Sequence, residues 1–220
     1  MSGSGDLVAR LNRLDCCAVS DALDKLGLSG AVTGLKQFAA PRRIAGRIVT
    51  VTLGPGTPPP GPPRHLCTAA IEAAQTGDVI VVEHRSGIEC GGWGGILSLG
   101  AKLRGVAGVI VEGYARDIDE CRAIDFPVYA RALTCRTARG RIVEQATNTP
   151  IAVGDIRVEP GDLAIADGSG AAFIKAADAA RIIAAAEAIA GREAAMAQAL
   201  LGGAPIGQVM GASYEHMLKE

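Results

Sequence analysis

The period of apolar and polar positions changes several times along this 220-residue chain. Near the start, Val19, Ala22, Leu23 and Leu26 recur at intervals of one, three and four, the inner face of a helix. It is the second of two helices expected to open the chain, running from about residue 16 to 26, with Asp15 as N-cap and Gly27 as the stop. Residues 44–53 (IAGRIVTVTL) then alternate, with Val49, Val51 and Leu53 on one side and Thr50 and Thr52 on the other. That pattern predicts a half-buried strand. GDVIVVE (77–83) has an unbroken apolar centre, as expected of a strand buried on both faces. PVYAR (127–131) and RIVEQA (141–146) read as shorter strands, and Gly-Asp entries at 77, 154 and 161 read as turns that feed strands.

GPGTPPPGPP (54–63) carries six prolines and three glycines, so it predicts a surface loop, one that could cover something. A helix is expected after it, from about 64 to 75. Beyond Phe173 to Lys175 a long helix begins, and Ile182, Ala185, Ile189, Met196 and Leu200 share one face of it, within about 60° at 100° per residue. Glu193 falls on that same face, which places it either at an exposed helix end or against a partner subunit. The expectation is one α/β domain over residues 1–220, its central sheet framed by N- and C-terminal helices. The C-terminal helices, about 176–217, are expected to contribute to subunit contacts.

Composition narrows the function classes. A chain that is 49% hydrophobic and 20% charged folds compactly, and with 3% aromatics its core must be aliphatic. A net charge of −1 gives no pull toward nucleic acid or an anionic membrane, and the arginines lack the interleaved aromatics of a base-stacking surface. The Ala-rich stretch 176–201 is broken by Asp178, Arg181, Glu187, Arg192 and Glu193, so no membrane span is read there. The first residues lack a signal-peptide layout, and the expected location is the cytoplasm. The six cysteines form no C-x-x-C and read as reduced thiols packed as small hydrophobes. His65, His84 and His216 are far apart and read as surface or packing residues.

Candidate chemistry concentrates in residues 91–120. GGWGGILSLGAKLRG sets four glycines around Trp93 ahead of a helix that stops at Gly105, an arrangement that lets a small anion approach free backbone N–H groups. Val106 to Glu112 is then a strand expected to break at Gly113, followed by Arg116, Asp117, Asp119 and Glu120. Arg116 offers a planar fork for a carboxylate or enolate, and Asp117 a hard oxygen for Mg²⁺ or Mn²⁺. The competing reading is a solvated Arg-Asp pair at the N-terminus of a helix starting near Ile118. The residues alone leave both open.

The spacing Gly95-x20-Arg116-Asp117-x2-Glu120 resembles the signature of the RraA-like family, which includes class II 4-hydroxy-4-methyl-2-oxoglutarate/4-carboxy-4-hydroxy-2-oxoadipate aldolases and regulators of ribonuclease E activity. VSDALDKLG, GDVIVVE, FPVYAR and PGDLAIADGSG follow in the family's order. The resemblance implies a swivelling β/β/α-type fold in a homotrimer or hexamer. It also implies a metal-dependent lyase that cleaves 4-hydroxy-2-oxo acids to pyruvate and decarboxylates oxaloacetate. By that analogy Arg116 holds the keto oxygen and stabilises the enolate, Asp117 anchors Mg²⁺ or Mn²⁺, and Glu120 orients the water on the metal. Amides of Gly94, Gly95, Ile96 and Leu97 would take the substrate carboxylate. An acidic residue of a neighbouring subunit, for which Glu193 is the candidate here, would complete the site.

One departure is Gly95 itself, where some of these aldolases carry an acid. It leaves the proton-transferring base unassigned, with His84 as a conceivable helper. The rival from another class is a non-catalytic, protein-binding regulator of a ribonuclease. Glu120 favours the enzyme; Gly95 favours the regulator.

Overall fold

The computed structural model describes residues 3–62 and 64–211. Two helices, α1 (Gly3–Leu11) and α2 (Cys16–Lys25), open the chain, and Asp15 caps α2 by accepting from the Ala18 amide at 2.8 Å. After Gly27, which takes φ +64°, come β1 (Ala31–Val32), β2 (Lys36–Ala39) and the long β3 (Ile44–Gly54). The rest alternates: α3 (Thr68–Ala73), β4 (Val79–Glu83), α4 (Gly95–Leu103), β5 (Gly108–Ala115), α5 (Ile118–Ala123), β6 (Val128–Leu133) and β7 (Val143–Thr147). A hairpin of β8 (Ile151–Val153) and β9 (Ile156–Val158) and a second of β10 (Leu163–Asp167) and β11 (Gly170–Ile174) lead to α6 (Ala179–Leu201) and the short α7 (Ile206–Val209).

The main sheet among the described residues runs β1-β11-β10-β3-β4-β5-β6-β2, with β7 also on β3. Strands β3 to β6 are parallel, and their crossovers carry α3, α4 and α5 onto one face. Strand β3 serves both halves of the sheet. Ile44–Arg47 pair with β10, Ile48–Thr52 with β4, and Val51–Gly54 with β7.

Side chains on β4 alternate between two apolar clusters. Ile80 and Val82 face the cluster under α3 to α5, whereas Val79 and Val81 join a second cluster with Ile110, Phe173 and the β8–β9 hairpin. This is why VIVV lacks polar alternation. A third cluster seats α1, α2 and the first half of α6 on β10 and β11, through Leu23, Ile165, Ile174, Ile182 and Ile189.

Several expectations are corrected. Strand β3 is not half-buried: Thr50 is fully covered and donates to the Thr149 carbonyl at 2.6 Å, which lets a hydroxyl sit inside. The helix expected over 64–75 is only α3, because Cys67 turns the chain into the left-handed region at φ +66°. Strand β5 does not stop at Gly113 but bulges between Val111 and Tyr114 and continues to Ala115. A side chain at Gly113 would meet the His84 carbonyl at 2.5 Å, so the glycine serves a close approach and not a break. Beyond Ile189 helix α6 outruns its support, so Leu200 on the expected apolar face is exposed, and Glu193 is exposed as in one of the two placements expected for it. All six cysteines are free, four buried and Cys17 and Cys135 exposed. His216 and the end of the expected C-terminal helices lie outside the described residues.

Candidate active site

Segment 91–94 runs alongside the end of β5. The Gly92 amide donates to the Tyr114 carbonyl at 2.8 Å, and the Arg116 amide to the Trp93 carbonyl at 2.9 Å. This strip brings the start of α4 against Arg116 and Asp117. Space is tight at the glycines here. A Cβ at Gly91 would stand 2.6 Å from the Arg116 side chain, and one at Gly94 would stand 2.6 Å from Asp117 Oδ2. At Gly95 it would meet the Cβ of Glu120 at 3.1 Å and that of Asp117 at 3.3 Å.

Asp117 adopts a left-handed backbone, φ 53° and ψ 43°, uncommon for a residue other than glycine. The turn aims its carboxylate away from its own helix: Asp117 makes no side-chain cap on α5. Instead Oδ1 accepts from Arg116 Nε at 2.9 Å and Oδ2 from the Gly95 amide at 3.2 Å. Asp117 thus stands at the N-cap position of α5 without a side-chain cap bond, and the Arg116–Asp117 pair of the competing reading is present. The Gly95 amide, expected at a substrate carboxylate, is bonded to Asp117 in this structure. The amides of Ile96 and Leu97, also in the first turn, have no intrahelical acceptor.

A buried polar chain holds this corner in place. The indole N–H of Trp93 donates to Ser98 Oγ at 2.8 Å, Ser98 Oγ donates to the Gly94 carbonyl at 3.0 Å, and Cys121 Sγ lies 3.2 Å from the same hydroxyl. Trp93 is stacked on Phe126 with ring centroids 6.4 Å apart. Sequence reasoning missed Ser98. Its only signal was a serine on the inward side of α4, five residues after the chain's single tryptophan.

Arg116 and Asp117 open onto a cavity of about 940 Å³. One wall is Gly91, Trp93, Gly94, Ile96 and Leu97; the second is the proline loop, 58–62; the third runs from Thr137 to Thr147. Glu144, in the third wall and also missed, accepts from the Cys67 amide and the Thr147 hydroxyl. It thereby closes the left-handed turn at Cys67, whose buried thiol is pushed well above its ordinary value by desolvation and then by Glu144.

The other candidates differ in placement. Glu120 is exposed in the first turn of α5, its stem beside Gly95 and Asp117. Asp119 pairs with Arg122 at 2.9 Å. His84 is buried, its Nε2 bonded to the Cys90 carbonyl at 2.7 Å, and burial lowers its pKa. Within one chain Glu193 is not brought to Arg116. It stands on α6 near the N-terminus of α2, where desolvation and then Asp15 and Asp21 raise its pKa.

No group of three or more His, Cys, Asp and Glu suited to a metal ion exists among the described residues. What is present is Asp117 at the cavity with Glu120 beside it, Glu144 in the third wall, and a glycine-lined gap. That donor set fits a hydrated Mg²⁺ or Mn²⁺, which binds through one or two carboxylates and keeps most of its waters. It does not fit a four-ligand cage.

Residues 16–172 match the RraA-like family, described as Aldolase/RraA. The chain belongs to the RraA-like family. A relative from Halalkalibacterium halodurans, named as a candidate 4-hydroxy-4-methyl-2-oxoglutarate aldolase, is 28% identical over 169 residues, covering 77% of this chain and 76% of that one. An uncharacterized protein of Pseudomonas syringae pv. tomato superposes with a TM-score of 0.84 at 28% identity, over 94% of this chain and 98% of the other. RraAS2 of Streptomyces coelicolor, described as an unusual member of the RNase ES inhibitor RraA family, superposes with a TM-score of 0.76 at 26% identity, over 88% and 96%. Against the Legionella pneumophila protein DlpA, 25% identical over 169 residues (77% of this chain), the chain spans 27% of the relative's length. No described helix is long and apolar enough to cross a membrane.

Proposed function

We propose that this RraA-like chain is a cytoplasmic lyase that cleaves 4-hydroxy-2-oxo acids of the 4-hydroxy-4-methyl-2-oxoglutarate type to pyruvate. Oxaloacetate decarboxylation would use the same enolate. The observation that supports it is the strained Asp117, held by Arg116 and the start of α4 at the mouth of a large cavity. Backbone strain of this kind clusters at functional sites.

Asp117, with Glu120 beside it, would hold Mg²⁺ or Mn²⁺, which supplies Lewis-acid polarisation of the keto oxygen when bound. The rest falls to the chain. The Ile96 and Leu97 amides, at the positive end of α4, receive the substrate carboxylate. Arg116 spends only Nε on Asp117, so its terminal nitrogens are left to grip the keto oxygen and to stabilise the enolate charge as the C3–C4 bond opens. Glu120 orients the water that takes the proton from the C4 hydroxyl.

The site is completed in a homotrimer or hexamer by Glu193 of a neighbouring subunit. Apolar surface supports an oligomer: Leu103 is 80% exposed on the outer side of α4, and Leu201 is 81% exposed at the end of α6. The second reading, a protein-binding regulator of a ribonuclease, draws on the likeness to RraAS2 and on Gly95.

A coupled pyruvate assay with Mg²⁺ or Mn²⁺ separates them. Pyruvate release that falls at least about 100-fold in Arg116→Ala supports the lyase, an effect of the size seen when one oxyanion-stabilising group is removed. No pyruvate from any hydroxy-oxo acid or oxaloacetate, with either metal, leaves the regulator.

A further inference from the structure

The lyase reading gives one of the substrate's two carboxylates a partner, at the Ile96 and Leu97 amides, and leaves the other, carried on C4, without one. The third wall of the cavity has the chemistry to take it. Residues 134–143 (TCRTARGRIV) hold three arginines within six positions and no acid, in a chain whose net charge is −1. Like charges crowded in this way repel one another, and a bound anion relieves them.

This segment is built onto the same corner as Arg116. The Thr134 amide donates to the Ala115 carbonyl at 3.0 Å, one residue before Arg116, and the Gly91 amide donates to the Arg136 carbonyl at 3.0 Å. Its own bonds close it into a turn. The Arg141 and Ile142 amides donate to the Ala138 carbonyl at 2.9 and 3.1 Å, and the Arg139 amide donates to Thr137 Oγ1 at 3.2 Å. Ala138 and Ile142 are buried. Arg139 is thus carried, exposed, on an anchored turn, and it lines the cavity together with Arg116.

The other charged groups around the cavity are engaged. Both oxygens of Glu144 accept, from the Cys67 amide and the Thr147 hydroxyl, and Asp117 accepts from Arg116 and the Gly95 amide. Arg64 pairs with Glu72 at 3.3 Å, and Arg141 donates back to the Thr137 carbonyl at 3.0 Å. The Arg139 guanidinium has no acidic partner among the described residues.

Resting on the lyase reading, we infer that Arg139 receives the C4 carboxylate of the substrate and so selects dicarboxylic 4-hydroxy-2-oxo acids over monocarboxylic ones. Its planar fork matches a carboxylate by two parallel bonds. That carboxylate keeps its charge while the C3–C4 bond opens, so the contact is equally strong before and during cleavage. Its loss therefore raises KM more than it lowers kcat.

Wild-type enzyme with Mg²⁺ is assayed for pyruvate from 4-hydroxy-4-methyl-2-oxoglutarate and from 4-hydroxy-4-methyl-2-oxopentanoate, in which a methyl group replaces the C4 carboxylate. Oxaloacetate is run alongside, and turnover is counted per bond cleaved, since the dicarboxylate yields two pyruvates. The dicarboxylate should be preferred in kcat/KM by at least about tenfold, between the worth of an exposed ion pair and that of a buried charge-assisted hydrogen bond. In Arg139→Gln the preference should drop to about twofold or less, through a raised KM for the dicarboxylate. Arg139→Lys, which keeps the charge and loses the fork, should fall between. A wild type that cleaves both compounds equally overturns the inference and leaves the lyase standing, as does an undiminished preference in Arg139→Gln. An equal loss on both compounds in that variant makes Arg139 structural and overturns its assignment. Absence of pyruvate from every compound, oxaloacetate included, overturns both readings.

Discussion

Asp117 combines a local cost with a chemical placement. A left-handed backbone at a residue with a Cβ costs about 1–2 kcal/mol, and here it turns a carboxylate toward the start of a different helix. Asp117→Gly should therefore gain about 1 kcal/mol, a rise in Tm of about 2–4 °C for a chain of this size, while pyruvate formation is lost. Thermal melts and the coupled assay on the same preparation check both halves. A Tm that falls would mean the carboxylate's two hydrogen bonds outweigh the strain.

His84 makes a second prediction at this scale. Its folded-state pKa lies below the ordinary value of about 6.5, because burial disfavours the imidazolium. The unfolded chain then binds more protons as the solution acidifies. The stability this neutral side chain contributes is complete above about pH 6.5 and is lost as pH falls toward the folded value. Urea midpoints from pH 7.5 down to 5 should decline in the wild type. The decline should be shallower in His84→Gln, where no ring titrates; identical slopes would exclude His84 as its source.

At the level of elements, α4 illustrates what could be read in advance. Its glycine-rich start, its stop at Gly105 and the buried strand after it follow from spacing and composition, and the helix runs Gly95–Leu103. The motif also put Gly95, Arg116, Asp117 and Glu120 in one place, and the alignment of segment 91–94 with β5 gives that spacing a physical cause. Three features were not legible. Gly113 looked like a breaker because its role, making room for the His84 carbonyl, depends on a strand from elsewhere in the chain. The direction of the Asp117 carboxylate is set by tertiary contacts that override the habit of an aspartate before a helix. Glu144 lies more than twenty residues from the motif and joins the cavity only through the pairing of β7 with β3.

The Trp93–Ser98–Gly94 chain is a property of the element as well. In Ser98→Ala the buried indole N–H loses its acceptor, which should cost about 1–3 kcal/mol. Relaxation of the helix start should also raise KM for the oxo acid more than it lowers kcat, because the Ile96 and Leu97 amides are aimed by it. Denaturant titration and steady-state kinetics test the pair of effects; a stability loss with unchanged KM would confine Ser98 to packing.

For the whole molecule, the outer side of α4 and the overhanging end of α6 are two apolar surfaces at different places on one chain. Dissimilar patches that join head to tail close into a ring when the rotation permits. Light scattering of the purified protein should give a trimer or a multiple of it, and Leu103→Glu should shift the mass toward one subunit. Mixing inactive Asp117→Ala with inactive Glu193→Ala subunits should restore part of the activity if Glu193 serves a neighbour's site. A monomeric wild type with full activity would overturn the arrangement.

Strand β3 has a consequence for how the molecule comes apart. Its first four residues belong to the ladder beneath the terminal helices, and its last four to the ladder beside the cavity. Melting either ladder strips hydrogen bonds from the same continuous strand, so the two halves are expected to open together. Amide protons of Ile48 and Val51 should therefore exchange only through global unfolding, with one common free energy across both halves. Such common exchange would make the terminal helices and the cavity a single cooperative unit, and a variant that loosens α6 should then loosen the cavity with it.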